Sequence, residues 1–412
     1  MTENLEKGDL RFQWAYERMD VLSAIRKRFR KDLPFKGVRI AMALHVEAKT
    51  GVFAYLLKEG GAQVRMASCN PLSSDDSVVE SLKVTRGMEV YARKGETESE
   101  YYEYLNKTLD LKPNIIIDDG GDLTKIVHQE RKDLQKDIFG GNEETTTGVV
   151  RLRAMEKQNI LKFPMFDVND AQMKHFFDNR YGTGQSTLDG IMNATNTLIA
   201  GKSVVVAGYG WCGKGIAMRM KGMGAFVTVT EVDQVKAVEA AMDGFTVRKM
   251  RDALKTADLV VTATGMRDII TYEDLLTAKH NLILANSGHF NNEIPFRELE
   301  SRSIEKKQVR DYVRKYRLEN GNEINLIAEG RLVNLAAGQG HPVEIMDMSF
   351  AVQALTAEYL LKNHGSLEPG VFAVPREIDY EIAAIKLDSM GIKIDNLSDE
   401  QVKYSDSWEE GT

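Results

Sequence analysis

The run Gly208-Tyr209-Gly210-Trp211-Cys212-Gly213 has the spacing of a loop that lets a backbone approach a diphosphate. It follows the apolar run Val204-Val205-Val206-Ala207 and precedes a helical pattern from Lys214 to Lys221. In that context Gly208 permits a tight turn, Gly210 admits the pyrophosphate, and Gly213 lets helix pack on strand. The helix N-terminus adds amide donors and a partial positive charge. Glu231 comes 23 residues after Gly208, at the end of the next strand-like run. A carboxylate there holds the ribose hydroxyls of NAD and repels the extra phosphate of NADP. NAD is therefore the expected cofactor. The bland alternative is a fortuitous glycine loop in an α/β protein.

Other stretches concentrate acids, bases and hydroxyls. They are His45-Val46-Glu47-Ala48-Lys49-Thr50, Asp118-Asp119-Gly120-Gly121, Glu143-Glu144-Thr145-Thr146-Thr147 and Asn169-Asp170 with Lys174. Asp178-Asn179, Asn286-Ser287-Gly288-His289, Glu329 to Asn334 and Gly340-His341 continue the series. Each has a structural alternative. The paired aspartates and Glu143 could cap helices, the threonines could form a turn, and His289 could be a buried structural histidine. Neither Cys69 nor Cys212 has the neighbours of a metal site, so no metal is expected. Two cysteines make no disulfide framework, which fits a reducing compartment.

Something must hold these residues in place. Strand-like runs at Val38–Leu44, Ala62–Met66 and Asn114–Ile117 alternate with helical patterns, which argues for a parallel sheet covered on both faces. Ligands of such sheets gather at the carboxyl ends of strands. His45 and Asp119 both follow strand-like runs. The alternation restarts at Ser203–Ala207 and continues through Phe226–Thr230, Leu259–Thr262 and Leu282–Ala285. The expected fold class is α/β, with two Rossmann-like doubly wound domains and a small C-terminal tail. Residues 1–182 and 342–375 form a substrate domain, 183–341 the NAD domain, and 376–412 a charged helical tail.

The chain has 412 residues, too many for one ordinary core. Its net charge of −7 disfavours nucleic acid or an anionic membrane as partner. Arg26-Lys27-Arg28 and Arg30-Lys31 lie on a helical pattern and read as a solvated face. No apolar stretch reaches the about 20 residues that span a bilayer. The polar start Met1-Thr2-Glu3-Asn4 shows no signal peptide, so a cytoplasmic location is expected.

Taken together, these motifs and their order resemble the S-adenosylhomocysteine hydrolases, from the His45 turn to about His364. The resemblance implies a thioether hydrolase that binds NAD tightly and recycles it. Its chemistry is oxidation of the 3′-hydroxyl, acidification of the C4′ proton, β-elimination of homocysteine, addition of water and return of the hydride. The resemblance places Lys174 and Asp178 at the 3′-hydroxyl, with Lys174 as base provided that its pKa is lowered. Asp119 and Glu144 surround the ribose and C4′ proton, and His45 stands near C5′. Asn179 and His289 orient the nicotinamide and the redox centre. Thr145, Thr146, Thr147, Thr264 and Asn334 become cofactor ligands, and His341 joins a segment that closes over the substrate. A homotetramer is implied as well.

Two departures from the family stand out. Many relatives have Thr where this chain has Glu47, and Gln or Glu where it has Lys49. That second side chain reads the purine edge. Lysine is donor-only, which suits the carbonyl of hypoxanthine, with Glu47 accepting from N1–H. S-inosyl-L-homocysteine is thus an expected substrate beside the adenosyl thioether. The alternative is a structural Glu47–Lys49 ion pair. Many relatives also end in a spaced Lys…Tyr segment that covers a neighbour's NAD, whereas Lys403 and Tyr404 are adjacent here. Two other functions compete: an NAD-dependent 2-hydroxyacid dehydrogenase, which leaves Lys174, Asp178 and Glu144 unexplained, and a catalytically silent NAD-binding regulator.

Overall fold

The computed structural model describes residues 2–408. Its first sheet contains β1 (Arg39–Ala43), β2 (Gln63–Ala67), β3 (Glu89–Tyr91), β4 (Ile115–Asp118), β5 (Gly140–Glu143) and β6 (Pro164–Asp167). The second contains β7 (Ser203–Ala207), β8 (Phe226–Thr230), β9 (Thr246–Val247), β10 (Leu259–Thr262), β11 (Leu282–Asn286), β12 (Glu305–Arg310), β13 (Val313–Arg317) and β14 (Glu323–Ile327). A last strand, β15 (Gly370–Ala373), returns to the first sheet and pairs in parallel with β6.

Strand order in the first sheet is β15-β6-β5-β4-β1-β2-β3, and every pair is parallel. The chain winds outward from β1 in one direction and, from β4, in the other. The crevice between the carboxyl ends of β1 and β4 is therefore a topological switch point, the usual place for a ligand. β1 and β4 are buried on both faces from Ile40 to Ala43 and from Ile115 to Asp118, which explains the apolar runs Ile40–Ala43 and Ile115–Ile117. In the second sheet, order β12-β13-β14-β11-β10-β7-β8-β9, the switch point lies between β7 and β10. Gly208 follows β7 and Thr264 follows β10.

Two doubly wound sheets match the sequence expectation, with one addition. β12, β13 and β14 pair antiparallel, so the second sheet is mixed. Lys and Glu side chains along β12 mask its strand pattern, because that edge strand is exposed throughout. Charges on an edge discourage pairing with another chain.

The helix Val343–Asn363 crosses back after Pro342 and buries most of its surface. Three of its polar residues, Asp347, Ser349 and Gln353, are fully buried. Asp347 accepts from the amides of Val21 and Leu22 at 2.9 and 2.8 Å, capping the helix Asp20–Asp32 from a distance. The stretch beyond Pro375, expected as a tail, is more than that. Its helix Arg376–Ser389 buries Ile378 and Ile382 in the core of the first sheet. The charged sequence obscured that one apolar stripe. The short helix Asp399–Ser405 buries nothing, and Glu409–Thr412 lie outside the described residues. No helix among the described residues is long and apolar enough to cross a membrane.

Candidate active site

Asp119 stands at the end of β4 and His45 at the end of β1, as the parallel sheet requires. His45 Nε2 lies 3.4 Å from Asp119 Oδ2, and His45 Nδ1 is 2.7 Å from Ser73 Oγ. The second sheet contributes His289, just after β11, whose Nδ1 is 3.7 Å from Asp119 Oδ1. Its approach depends on Gly120, whose φ is +101°. A Cβ there would lie 2.6 Å from His289 Nε2. Burial pushes the His45 imidazole down to about 4, more than nearby Asp119 can restore. The ring is neutral at physiological pH. Burial also raises the Cys69 thiol, whose Sγ donates to Asp119 at 3.4 Å.

Lys174 ends the helix Gln172–Lys174 and opens a π-helical turn, His175–Gly182. Such widened turns recur at functional sites. This one aims Lys174, Asp178 and Asn179 into one buried cluster. Lys174 Nζ is 2.7 Å from Asn179 Oδ1, 3.3 Å from Asp178 Oδ1 and 3.4 Å from Glu144 Oε1. Asp178 in turn accepts from Ser349 Oγ at 2.7 Å and faces His341 Nδ1 at 3.2 Å. Gln353 Nε2 donates to Glu144 at 2.6 Å.

These contacts separate the two carboxylates. Burial dominates at Glu144 and pushes it up to about 7. At Asp178, Lys174 and His341 overcome burial and hold the carboxyl below its ordinary range. Lys174 departs from expectation. Burial favours its neutral form, but Asp178 and Glu144 outweigh that, and its pKa is raised. The resting lysine is an ammonium, so it cannot act alone as the base.

The turn at Glu47 reaches the same space. Glu47 caps the helix Ala48–Glu59, accepting from the amides of Lys49 and Thr50 at 3.0 and 3.3 Å and from Thr50 Oγ1 at 3.3 Å. Lys49 Nζ pairs with Glu47 Oε2 at 2.9 Å and donates to the Gln339 carbonyl at 3.1 Å. The ion pair given above as the alternative is thus formed, and the free capacity of Glu47 is largely spent.

His45, Glu47, Lys49, Thr50, Asp119, Glu144, Thr145, Lys174, Asp178, Asn179, His289, Asn334 and His341 all line one inner cavity of about 140 Å³. A larger cleft of about 1340 Å³ shares Glu47, Lys49 and His341 with it and opens outward. The other expected cofactor residues, Thr146, Thr147, Gly208, Gly210, Gly213, Glu231 and Thr264, do not line the inner cavity.

The carboxyl end of the second sheet fits a dinucleotide. Gly213 packs its helix onto the loop so closely that a Cβ would lie 2.0 Å from the Gly208 carbonyl oxygen, whereas nothing lies within 4 Å of a Cβ at Gly210. That open space sits at the N-terminus of the helix Trp211–Gly222. Glu231 follows β8 and braces the loop, accepting from Tyr209 N at 2.7 Å. Asn334 Oδ1 is buried without a hydrogen-bond partner, and Asn334 lines the inner cavity.

Comparison with known proteins agrees with this geometry. The family model described as "S-adenosyl-L-homocysteine hydrolase, NAD binding domain" matches residues 179–340, and "S-adenosyl-L-homocysteine hydrolase" matches 3–138. An adenosylhomocysteinase of Thermoplasma acidophilum is 69% identical over 412 residues, covering 100% of both chains. The chain belongs to the S-adenosyl-L-homocysteine hydrolase family. An S-inosyl-L-homocysteine hydrolase of Methanocaldococcus jannaschii is also similar, 57% identical over 407 residues, with 99% of this chain and 98% of that one covered. A further adenosylhomocysteinase, from Pyrococcus abyssi, is 55% identical over 406 residues, covering 98% and 96%. As a member of this family, the chain is an enzyme that binds NAD.

Several residues that hold this hydrolase site together escaped the sequence reading. Ser349 and Gln353 signal themselves only as two of several polar residues on a largely buried helix. Glu293 accepts from Thr264 N, Thr264 Oγ1 and Gly265 N, fixing the loop after β10. Glu143 accepts from Gly120 N and Thr145 N, tying the Asp119 loop to the Glu144 loop. In sequence Glu143 reads only as a possible helix cap, and nothing in local spacing distinguishes Glu293 from a surface residue.

Proposed function

We propose that this enzyme hydrolyses the thioether of nucleoside–homocysteine conjugates, releasing a nucleoside and L-homocysteine, and that it accepts a 6-oxopurine in preference to adenine. The carrying observation is the buried set Lys174, Glu144, Asp178 and Asn179 beside a dinucleotide loop, with His45 and Asp119 across the cavity. The chemistry that bound NAD would supply is reversible hydride transfer at C3′.

The chain's own residues manage the protons. Lys174 and Glu144 act together as the base. The lysine passes a proton to Glu144, which titrates near neutrality, and so becomes able to receive one from the 3′-hydroxyl. Asp178 stays ionised, fixes Lys174 and accepts a hydroxyl donor. Asp119 faces the C4′ side. Neutral His45, oriented by Ser73, takes a proton from the incoming water at C5′. Thr145, Thr146, Thr147, Thr264, Asn179, Asn334, Glu231 and the three loop glycines hold NAD.

At the base edge, Glu47 is occupied and Lys49 offers its remaining N–H. A donor there complements a C6 carbonyl and opposes the C6 amino group of adenine. The Methanocaldococcus relative supports this reading by its name. Comparing kcat/KM for the S-inosyl and S-adenosyl thioethers tests it. A higher value for the inosyl substrate is expected, with Lys49→Gln moving the ratio toward adenosine by about tenfold. A large adenosyl preference in the unaltered enzyme overturns the base reading but leaves the hydrolase.

The proposal includes residues 1–182 with 342–375 as the substrate domain, 183–341 as the NAD domain, and a homotetramer. Outward-facing Phe226, Val235 and Met242 on the second domain support association. Light scattering at four times the chain mass tests it.

A further inference from the structure

Base and cofactor must meet C3′ together, yet Lys174 follows β6 of the first sheet and the dinucleotide loop follows β7 of the second. The turn His175–Gly182 is where the two parts touch. At the end of that turn the contact is backbone on backbone. A Cβ at Gly215 would lie 1.8 Å from the Arg180 carbonyl oxygen, and one at Gly184 would lie 2.6 Å from the Gly215 carbonyl oxygen. At the start, beside Lys174, the contact is made by rings. Trp211 is the first residue of the helix Trp211–Gly222. It stacks on His175 with centroids 5.2 Å and planes 25° apart, and meets Phe176 edge-on at 5.0 Å.

These rings do not fill a core. Trp211 and Phe176 lie outside the hydrophobic clusters of both sheets, and Phe176 is exposed. Each side of the contact is itself held. His175 Nδ1 donates to the Asp170 carbonyl at 3.0 Å, on the segment that leads into the Lys174 helix. Lys214 Nζ stands 4.5 Å from the Trp211 ring centroid and pairs with Glu239 at 2.6 Å. Trp211 occupies a position of the glycine loop at which dinucleotide binding asks for no particular side chain. It lines neither the inner cavity nor the outer cleft. Cofactor and substrate contacts therefore leave the indole unexplained, and its packing on the Lys174 turn explains it.

We propose that Trp211 is a positioning residue: through His175 and Phe176 it sets the Lys174 turn in register with the cofactor helix, and the rate of C3′ oxidation depends on that register. The inference rests on the role given to Lys174 under the proposed function. In that step the C3′ hydride goes to NAD and the hydroxyl proton goes to the lysine, so a free nucleoside is enough to give the ketone and NADH. Transfer of this kind is sensitive to small misplacement of the reacting groups. Affinity is set elsewhere in the cavity and should be spared.

Single-turnover mixing of the NAD-loaded enzyme with inosine or adenosine tests this, because NADH absorbance reads the oxidation and its concentration dependence separates rate from affinity. Trp211→Ala is expected to slow oxidation by about tenfold or more, with nucleoside affinity and NAD retention within about twofold of the unaltered enzyme. Trp211→Phe keeps a stacking face and should recover most of the rate. His175→Ala leaves the cofactor loop untouched and should slow oxidation as Trp211→Ala does. The double variant should be no slower than either, as expected of two residues that act through one contact. Melting curves show which variants are folded, and His175→Ala carries the test alone if Trp211→Ala does not fold. A readout apart from turnover comes from fluorescence. With Trp14→Phe and Trp408→Phe, Trp211 is the last of the chain's three tryptophans. Its emission should move to the red on His175→Ala, even in NAD-stripped protein. An unchanged rate in either folded single variant, losses that add in the double variant, or an emission that does not move overturns the proposal. NAD lost from Trp211→Ala overturns it as well, since the indole would then serve the cofactor loop. An unaltered enzyme that forms no NADH from either nucleoside overturns the role given to Lys174 and this inference with it.

Discussion

At the scale of residues, the division of labour between Glu144 and Asp178 comes from environment, since both are buried carboxylates beside one lysine. Glu144 has a single amide donor in Gln353 and shares Lys174, so burial prevails and its pKa rises to about 7. Asp178 gains Lys174, His341 and Ser349, which together prevail over burial. A base must be ionised to work. A carboxyl raised to about 7 becomes so only as pH climbs through that value. We expect kcat/KM to increase through about pH 7 and to level off above it. Glu144→Gln keeps the shape and the Gln353 contact but cannot ionise. It is expected to lower kcat by on the order of a hundredfold and to abolish the rise near pH 7. A variant that retained the same pH profile would remove Glu144 from the base. Residue types and order suggested both carboxylates. Their opposite pKa shifts depend on Ser349 and Gln353, about 200 residues away in sequence, and could not be read there.

At the scale of elements, the helix Gln172–Lys174 is only three residues long, too short to hold its own position. Its first amides are satisfied from elsewhere. Asp379, on the helix Arg376–Ser389, accepts from Gln172 N at 3.0 Å and Met173 N at 2.8 Å. The stretch read as a charged tail therefore holds the short helix that carries Lys174, the lysine proposed as part of the base. Asp379→Ala is expected to cost about 1 kcal/mol of stability and to lower kcat by roughly tenfold or more by misplacing Lys174. Asp379→Asn, which can still accept, should recover most of the rate. Steady-state kinetics on the three proteins separate this from a purely structural cap, which would shift melting and leave kcat alone. The cofactor loop makes a complementary case. Its strand, glycines, helix and acid were all legible, because each obeys a local backbone rule. Gly213→Ala puts a Cβ 2.0 Å from the Gly208 carbonyl oxygen. The variant should bind NAD at least about tenfold more weakly, measured by cofactor retention after gel filtration. Among the parallel core strands, β1, β4, β7, β10 and β11 were legible as apolar runs, whereas β5, Gly-Gly-Asn-Glu, was not. β12 to β14 were not, since charged residues dominate an edge whose pairing is set by neighbours.

At the scale of the whole molecule, the site belongs to neither sheet alone. The first sheet supplies His45, Asp119, Glu144 and Lys174, and the second supplies His289 and Asn334. The chain passes between them near Gly182 and again near Gly340, whose φ is +72°. An inner cavity of about 140 Å³ is smaller than the 300 Å³ or more usual for a small-molecule site. We therefore expect a nucleoside thioether to enter by way of the 1340 Å³ cleft with the two units parted, and their closure to exclude water from the reactive intermediates. Sequence order indicated two units, but the fit between them rests on contacts such as His289 against Gly120 that no local pattern encodes. The arrangement has a thermodynamic consequence. With the proposed ligands, NAD would touch the loops of the second sheet and also Thr145–Thr147 of the first, so it should stabilise the molecule as a whole. At a hundred times Kd the gain is about 2.7 kcal/mol, which for units of this size is roughly 5–10 °C in melting temperature. Calorimetry of the stripped protein should show the 183–341 unit melting first, with NAD raising that transition toward the other until they merge. Two transitions that stayed separate at saturating NAD would mean that the cofactor is held by the second sheet alone, and the threonines after Glu144 would lose their place in its binding.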